Sequence, residues 1–438
     1  MSRLKISQKL LLGRFLTRSG DQAWDFAVPL VLLIIFPDQI RIAALYYFLV
    51  RLLSVVLIPK MSTLIDQFSR LKTAKLGIVL QLVGVVITTG AIYKLGKINI
   101  SEFNLSQVLP FIDFTTLILG GVLSSLGSTF MDIAIANDLV PSTIKVDELA
   151  AFNSKLRQVD LFTEVMSPVL AGLLLLLNQP FLFGFFLIAL WNIISFFPEL
   201  SLLSSVFKER PDLLHKKSIM PDLTKKTLLN KLSAGWAAFF KQPIALAAVA
   251  YAFLWLSVLS PHGVLLSAFL KDGWHLPEWL IGSFRGAGAF FGLLSTILFP
   301  IAVRKLGLLR GTYSFIWFQA IILLVGLILF FIPGLFGQLG FLACILLSRI
   351  GLYGFSQGEM QIRQVGINPS VRGEVNGFAN ALTGVATLFL YGAGALLPST
   401  DDFQILVIGS VVFIVVGAIT YSVWLRKNLN FDSNPKTN

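Results

Sequence analysis

Long apolar stretches alternate with short polar intervals along the whole chain. Six stretches of about 20 residues or more, enough to cross a bilayer as a helix, precede one long polar interval, and six follow it. The first six lie at 8–36, 40–60, 73–95, 107–136, 149–178 and 180–206, and the last six at 243–270, 277–303, 309–332, 336–360, 374–398 and 403–425. This pattern predicts an all-α transmembrane protein of twelve helices, with an N-terminal lobe (1–206), a linker (207–241) and a C-terminal lobe (242–438).

The positions of Lys and Arg predict which side of the membrane each loop faces. The linker is rich in both residues, whereas the loops at 178–180, 333–335 and 399–402 contain neither. Because basic residues concentrate on the cytoplasmic side, we expect the linker and both termini to be cytoplasmic. The basic N-terminus is followed by no small-residue cleavage site, so we expect a retained first helix rather than a signal peptide.

Composition supports the membrane assignment and excludes other classes. Of the 438 residues, 55% are hydrophobic and 13% charged, with a mean hydropathy of +0.80, more apolar surface than a soluble protein can bury. The net charge of +12 is explained by cytoplasmic loops rather than by nucleic-acid binding. A single cysteine, Cys344, rules out a disulfide framework, and no motif of an enzyme is present. Two six-helix halves around a central pathway are the plan of the major facilitator superfamily.

The first apolar stretch contains charged residues at membrane depth. Thr17, Asp21 and Asp25 are spaced i, i+4, i+8 and share one helix face. A carboxylate at the bilayer centre costs at least about 2.5–3.5 kcal/mol unless it is paired, hydrated or bound to a cation. The sequence leaves two interpretations open: an ion pair with Arg14 or Arg18, or a site for a cation or proton.

A second polar face lies in the sixth stretch. Asn192, Ser195 and Glu199 are spaced i, i+3, i+7, and the third stretch adds Gln81 in an otherwise apolar run. With Asp21 they would form an oxygen cage that carries two negative charges, the donor set that hard cations, above all Ca²⁺, prefer. The alternative is that each polar group makes its own helix–helix hydrogen bond. Phe196 would lie on a neighbouring face.

The seventh stretch is interrupted by Ser260, Pro261, His262 and Gly263. Proline removes a helix hydrogen bond, so an unwound segment is predicted there. A histidine in such a segment suits Fe²⁺, Co²⁺, Ni²⁺ or Zn²⁺. The alternative is a structural histidine held by hydrogen bonds.

Charged and polar residues recur at the cytoplasmic ends of the spans. They are Asp66, Arg70, Asp138, Asn153 and Arg157. Such residues can close a cytoplasmic gate by pairing, and the alternative is an ordinary solvated surface.

Several motifs together resemble the ferroportin family, the iron-exporting branch of the major facilitator superfamily. The matching segments are GDQAWDFAV (20–28), DQFSRLKTAKLG (66–77), NSKLRQVD (153–160), WNIISFFPE (191–199), SRIGLYGF (348–355) and RGEVNGFANAL (372–382). They occur in the family's order from the first span to the eleventh. The short loops resemble those of bacterial members.

The resemblance implies export of Fe²⁺ and related metals (Co²⁺, Ni²⁺, Mn²⁺, Zn²⁺) in exchange for protons, promoted by Ca²⁺ bound in the N-terminal lobe. The residues that match the family's calcium ligands are Asp21, Gln81, Asn192 and Glu199, with Thr17, Ser195 and Phe196 around them. Asp25 replaces a histidine of vertebrate members. In the C-terminal lobe, Gly263 and Leu390 replace a cysteine and a histidine, which leaves His262 as the metal ligand.

The resemblance also matches Asp66, Arg70, Asp138, Asn153 and Arg157 to the family's cytoplasmic gate. It implies a monomer in a bacterial inner membrane, whose partners are divalent metal ions, protons and lipid. Two rival hypotheses remain at this stage. One is a proton-coupled antiporter of drugs or organic solutes from the same superfamily, and the other is a membrane sensor or scaffold that transports nothing.

Overall fold

The computed structural model consists of helices joined by turns and irregular segments in the residues it describes, which are 4–36, 40–97, 108–177, 181–214, 228–261, 263–397 and 402–428. The α-helices in chain order are α1 (Ile6–Ile35), α2 (Ile40–Gln67), α3 (Arg70–Leu95), α4 (Val108–Asp132), α5 (Val140–Thr143), α6 (Val146–Leu177), α7 (Phe181–Glu209), α8 (Leu228–Phe240), α9 (Ala245–Leu254), α10 (Val264–Asp272), α11 (Glu278–Leu306), α12 (Leu308–Phe330), α13 (Leu335–Gly366), α14 (Arg372–Leu396) and α15 (Phe403–Lys427). A π-helix, Ile133–Leu139, joins α4 to α5, and a short 3₁₀ turn, Pro211–Leu213, follows α7.

Ten helices within the described ranges are long and apolar enough to cross a membrane. They are α2, α3, α4 with its continuation to Thr143, α6, α7, and α11 to α15. Helix α1 is equally long but carries five charged residues, Lys9, Arg14, Arg18, Asp21 and Asp25. The remaining predicted span is divided between α9 and α10, with no helix between Leu254 and Val264. Together these segments account for the predicted all-α transmembrane fold.

The helices differ from the predicted apolar stretches at the ends that are predicted to be cytoplasmic. The fourth span continues past residue 136 through the π-helix to Thr143, so Asp138 lies inside a helix rather than after one. The polar interval 207–241 includes helix α8, which meets α9 at 103°. Backbone hydrogen bonding continues a helix into polar sequence, so hydropathy alone does not predict where these helices end.

The chain divides into two compact units. The first comprises Met1–Thr143, Phe162–Lys226 and Pro369–Gly377, and the second comprises Ile144–Leu161, Thr227–Asn368 and Phe378–Asn438. Helices α6 and α14 therefore contribute residues to both units. The lobe boundaries given above from hydropathy and charge stay a prediction.

Small residues let α3 and α4 approach closely in the first unit. A Cβ on Gly127 would lie 2.6 Å from Gln81 Cγ, and one on Gly84 would lie 2.7 Å from the carbonyl oxygen of Gly120. The same arrangement recurs between α12 and α13 in the second unit, where a Cβ on Gly351 would lie 2.6 Å from Gln319 Cβ. Close helix packing through small residues is typical of membrane interiors, where no hydrophobic effect draws helices together.

The packing predicts that an added methyl group destabilises the protein at one glycine of α3 but not at another. Gly84→Ala places a methyl group against the backbone of Ser124 and Gly120, and we expect a loss of about 1–3 kcal/mol in stability, the usual cost of overpacking. Gly90→Ala is the matched control, because a Cβ there meets no atom within 4 Å. The measurement is the apparent Tm of purified protein in detergent. An equal Tm for the two variants would contradict the packing described here.

Candidate functional site

Asp21 is buried in the first unit and is held by neutral donors from two other helices. Gln81 of α3 donates its amide Nε2 to Asp21 Oδ1 at 3.1 Å and to Oδ2 at 3.3 Å. Ser128 of α4 donates its hydroxyl to Asp21 Oδ2 at 2.7 Å. Neutral donors orient a carboxylate but leave its charge in place, so these hydrogen bonds do not balance the negative charge of Asp21.

Helix α7 supplies the other side of the site. Gly20 lets α1 approach α7, because a Cβ there would lie 3.1 Å from Asn192 Cα and from Ser195 Oγ. The Ser195 hydroxyl donates to the carbonyl oxygen of Asn192 at 2.6 Å. Glu199 lies within hydrogen-bonding reach of the Thr17 hydroxyl, and that hydroxyl also donates to the Gly13 carbonyl oxygen at 3.1 Å.

All the members of this cage are buried. Thr17 and Asp21 are 7% exposed, Ser195 is 4% exposed, and Gln81, Asn192, Phe196 and Glu199 are 1% exposed. Three of their oxygens, namely Gln81 Oε1, Asn192 Oδ1 and Glu199 Oε2, have no hydrogen-bond partner among the described residues. Buried polar atoms are nearly always satisfied in proteins, so unsatisfied ones require an explanation.

Asp25 does not join the cage. It lies one turn beyond Asp21 on α1, and its side chain is exposed. Its backbone carbonyl oxygen accepts a hydrogen bond from the Tyr47 hydroxyl at 2.9 Å. The two carboxylates are one helical turn apart on α1, as the spacing predicts, but they differ in burial, with Asp21 buried and Asp25 exposed.

The two arginines of α1 contact a residue that the sequence analysis did not consider. Arg14 Nη1 lies 2.5 Å from Asp132 Oδ1, and Arg18 Nη2 lies 3.1 Å from the same oxygen. The ion pair considered above, between these arginines and a carboxylate of α1, is therefore replaced by ion pairs to α4. Asp132 and Ser128 are four residues apart and share one face of α4, a spacing that could have drawn attention to both.

Charged residues of the predicted gate form a buried network in the first unit. Arg70 Nε donates to Asp138 Oδ2 at 2.8 Å and Nη2 to Oδ1 at 3.3 Å. The same guanidinium donates to the Leu213 carbonyl oxygen and the Ser142 hydroxyl, both at 2.8 Å. Asp138 lies in the seven-residue π-helix, a conformation that often marks functional positions.

Asp66 holds the beginning of α14. Its two carboxylate oxygens accept hydrogen bonds from the backbone N–H groups of Gly373 and Glu374, each at 2.8 Å. The first N–H groups of a helix lack partners within the helix and carry partial positive charge, so a carboxylate stabilises them. Asp66 therefore binds a helix terminus rather than a basic side chain through these bonds.

Asn153 and Arg157 of α6 lie in the second unit. Asn153 Nδ2 donates to Gln364 Oε1 at 2.7 Å, and Gln364 Nε2 donates back to Asn153 Oδ1 at 3.2 Å. The Arg157 guanidinium lies 4.4 Å from the centre of the Tyr353 ring. Three of the five predicted gate residues, Asp66, Arg70 and Asp138, therefore lie in the first unit, and the other two, Asn153 and Arg157, lie in the second. All five are buried or partly buried.

The interruption between α9 and α10 is held by two neighbouring helices. Arg349 Nη2 of α13 donates to the Leu259 carbonyl oxygen at 2.5 Å, and the backbone N–H of Val258 donates to Ser410 Oγ of α15 at 2.9 Å. Unwound backbone at membrane depth needs such partners. The predicted ligand His262 lies outside the described residues. Arg349 belongs to the SRIGLYGF motif, but its partner, a backbone carbonyl oxygen, cannot be recognised from the amino-acid sequence.

The described residues hold no group of three or more His, Cys, Asp or Glu side chains placed to bind a metal ion. The cage in the first unit instead combines two carboxylates with amide and hydroxyl oxygens. That composition suits a hard cation and is poor for a soft one.

The fold defines the class of protein. The chain is similar to the proton:xylose symporter XylE (TM-score 0.70, 14% identity, 96% of this chain and 94% of that one) and to the transporter FucP (TM-score 0.63, 12% identity, 97% and 99%). At this identity the likeness shows the fold alone, which is that of the major facilitator superfamily. The prediction of the fold class is confirmed.

The particular family follows from closer relatives. The family model of Ferroportin1 (FPN1) matches residues 5–414, and the chain belongs to the ferroportin family. It is 44% identical over 428 residues to the Ferreportin of Bdellovibrio bacteriovorus, with 97% of this chain and 95% of that protein covered. It is 23% identical over 524 residues to the human Ferroportin, with 96% and 91% covered.

Solved structures agree with this assignment. The chain matches a bacterial homologue of the iron transporter ferroportin in its outward-facing state with a TM-score of 0.89 and 42% identity, covering 97% of this chain and 100% of that one. It matches a bacterial homologue in the inward-facing state with a TM-score of 0.66, covering 97% and 99%. The family resemblance inferred from the motifs is confirmed.

The buried network predicts that two Asp→Asn variants will differ in stability. Asp138→Asn leaves Arg70 buried without its counter-ion, and we expect a loss of about 3–5 kcal/mol. Asp212→Asn is the matched control, since Asp212 and Arg210 form an exposed Arg–Asp pair of the kind that contributes little. Apparent Tm in detergent checks both. A Tm for Asp138→Asn as high as that of the control would mean that the Arg70 pair is not a stabilising contact.

Proposed function

We propose that the chain exports Fe²⁺ and related divalent transition metals by alternating access, in exchange for protons, and that Ca²⁺ bound in the first unit promotes transport. The descriptions of its relatives support the substrate, since the solved structures are of a bacterial homologue of the iron transporter ferroportin, and one of them has soaked iron. Separate structures of relatives in outward- and inward-facing states support alternating access.

The three unsatisfied oxygens of the cage are the observation that carries the calcium site. Gln81 Nε2 must face Asp21 to donate, which leaves Gln81 Oε1 free to act as a ligand. Asn192 Oδ1 and Glu199 Oε2 are likewise buried without a hydrogen-bond partner among the described residues. Ca²⁺ takes six to eight oxygen ligands, and these oxygens with those of Asp21 are the side-chain donors we assign to it.

Bound Ca²⁺ would supply the two positive charges that balance Asp21 and Glu199. Ser128 orients the Asp21 carboxylate through its hydroxyl group. A cation shifts the equilibrium between two conformations only by the difference in its affinity for them. We therefore expect the cage to be complete in one transport state and open in the other.

We assign His262 in the second unit and Asp25 in the first unit each as a ligand of the transported metal. An exposed carboxylate on α1 is accessible to an ion in a way that the buried cage is not. An imidazole must be neutral to bind a metal, so protonation releases it. This competition gives a direct route to exchange of metal for protons.

The Arg70–Asp138 and Asp66–α14 contacts are assigned to the cytoplasmic gate of the first unit, and Asn153 and Arg157 to that of the second. All of them lie at the ends of spans that the basic loops assign to the cytoplasm. We propose a multi-pass monomer of the bacterial inner membrane with both termini in the cytoplasm.

Calcium binding by the cage predicts a ligand-dependent stability. Saturating Ca²⁺ at 100 times its Kd should stabilise the protein by about 2.7 kcal/mol, and Gln81→Leu should abolish most of the resulting rise in apparent Tm. Gln319→Leu is the matched control, because Gln319 is equally buried and its Oε1 also lacks a partner among the described residues. A rise in Tm that survives Gln81→Leu, or disappears in Gln319→Leu, would refute the assignment.

Transport itself is measured as Co²⁺ or Fe²⁺ flux into liposomes. We expect flux to increase with Ca²⁺, to respond to an imposed pH gradient, and to fall at least about tenfold in His262→Asn, because an amide is a poor ligand for these metals. His275→Asn is the control, since His275 is exposed in a loop with φ 52°, a conformation that asparagine tolerates. Flux that is independent of pH would rule out proton exchange, and an absence of metal flux would rule out the proposed substrate.

A further inference from the structure

Two arginines lie within two helical turns of the proposed calcium site, on the same helix as Asp21. Arg18 precedes Asp21 by three residues, and Arg14 lies one turn earlier. Both guanidinium groups attract the carboxylates of Asp21 and Glu199 electrostatically. A guanidinium is permanently charged and its donors match a carboxylate. Each arginine is therefore a potential competitor of a metal cation for the same two carboxylates.

Asp132 binds both arginines through one oxygen atom. Arg14 Nη1 and Arg18 Nη2 lie 2.5 and 3.1 Å from Asp132 Oδ1. The side chains are only partly exposed, 10% for Arg14, 22% for Arg18 and 29% for Asp132. Attraction between partly buried charges is screened less than attraction at a free surface, so these ion pairs are expected to persist.

The same face of α4 contacts both the cage and the arginines. Ser128 donates to Asp21, and Asp132 follows it by one turn. The five charged groups on this face and its neighbours, Asp21, Glu199, Asp132, Arg14 and Arg18, sum to one negative charge. Without Asp132 they would sum to zero, and the acidic groups that attract Arg18 would be Asp21 and Glu199 of the cage and Asp25 of α1.

We propose that Asp132 is a positioning residue, which withholds Arg14 and Arg18 from Asp21 and Glu199 and so keeps the cage open to a divalent cation. In its absence the arginine side chains move toward the cage and occupy it as internal cations. The inference rests on the proposed calcium site and deepens it, because it names the residue that decides between an ion pair and a bound metal.

The test is a double-mutant cycle read out as Ca²⁺ affinity, measured by isothermal titration of the purified protein and by the calcium-dependent rise in Tm. Asp132→Asn should weaken Ca²⁺ binding at least about tenfold, as expected when a unit charge close to a divalent ion is removed at intermediate dielectric. Asp113→Asn is the matched control on the same helix, because Asp113 lies at the far end of α4 beside Lys94, and it should leave the affinity unchanged.

The second arm distinguishes competition by arginine from a general loss of negative charge. Arg18→Gln should restore affinity in the Asp132→Asn background to within about threefold of wild type, and its effect there should exceed its effect in the wild-type background. Equal effects in both backgrounds, or wild-type affinity in Asp132→Asn, would overturn the proposal.

Two further measurements distinguish failure of this proposal from misfolding of a variant and from failure of the calcium site. If Asp132→Asn fails to fold, the double variant Asp132→Asn/Arg18→Gln decides: an affinity within about threefold of wild type supports the proposal, and an affinity at least about tenfold weaker overturns it. If wild-type protein itself shows no calcium-dependent change in heat or Tm, the calcium site fails and this inference fails with it. A wild-type protein that binds Ca²⁺ while the cycle shows no coupling refutes the role of Asp132 alone.

Discussion

A bilayer gives no hydrogen bonds to a polar group, so every charge carried into the spans must be matched from within the protein. The first unit meets this requirement in two ways. Arg70 and Asp138 match each other directly, with further donors and acceptors around them. Asp21 and Glu199 receive only neutral hydrogen bonds from nearby side chains, which leaves negative charge inside the molecule. The first arrangement is complete without a ligand, and the second is not.

The close approach of helices makes the second arrangement possible. Gly127 and Gly20 bring α4 and α7 against their neighbours, so short side chains such as Ser128 and Asn192 reach a site that larger residues would block. The equivalent glutamine in the second unit, Gln319, faces Gly351 in the same way. The two units thus share a packing pattern, whereas only the first unit surrounds its glutamine with carboxylates among the residues described.

The sequence was sufficient for the fold class and for polar groups that share a helix. Apolar stretches predicted the spans well, as for 403–425 against α15, because hydropathy and helix length are properties of single segments. The α1 residues of the cage, Thr17 and Asp21, could also be predicted, because their spacing is a property of a single helix. Ser128 and Asp132 share one face of α4, but their importance depends on how α4 is rotated against α1, and the sequence of a single helix does not specify that rotation.

The π-helix at Ile133–Leu139 makes the orientation of the residues on either side of it sensitive to the deletion of a single residue. The i→i+5 hydrogen bond of a π-helix encloses one residue more than the i→i+4 hydrogen bond of an α-helix. Deletion of one residue from this segment could therefore convert it to regular α-helix. Such a deletion would spare the apolar surface of the span but would turn Asp138 and Asp132 through different angles. The alignment of Asp132 with Asp138 therefore depends on the number of residues in this segment.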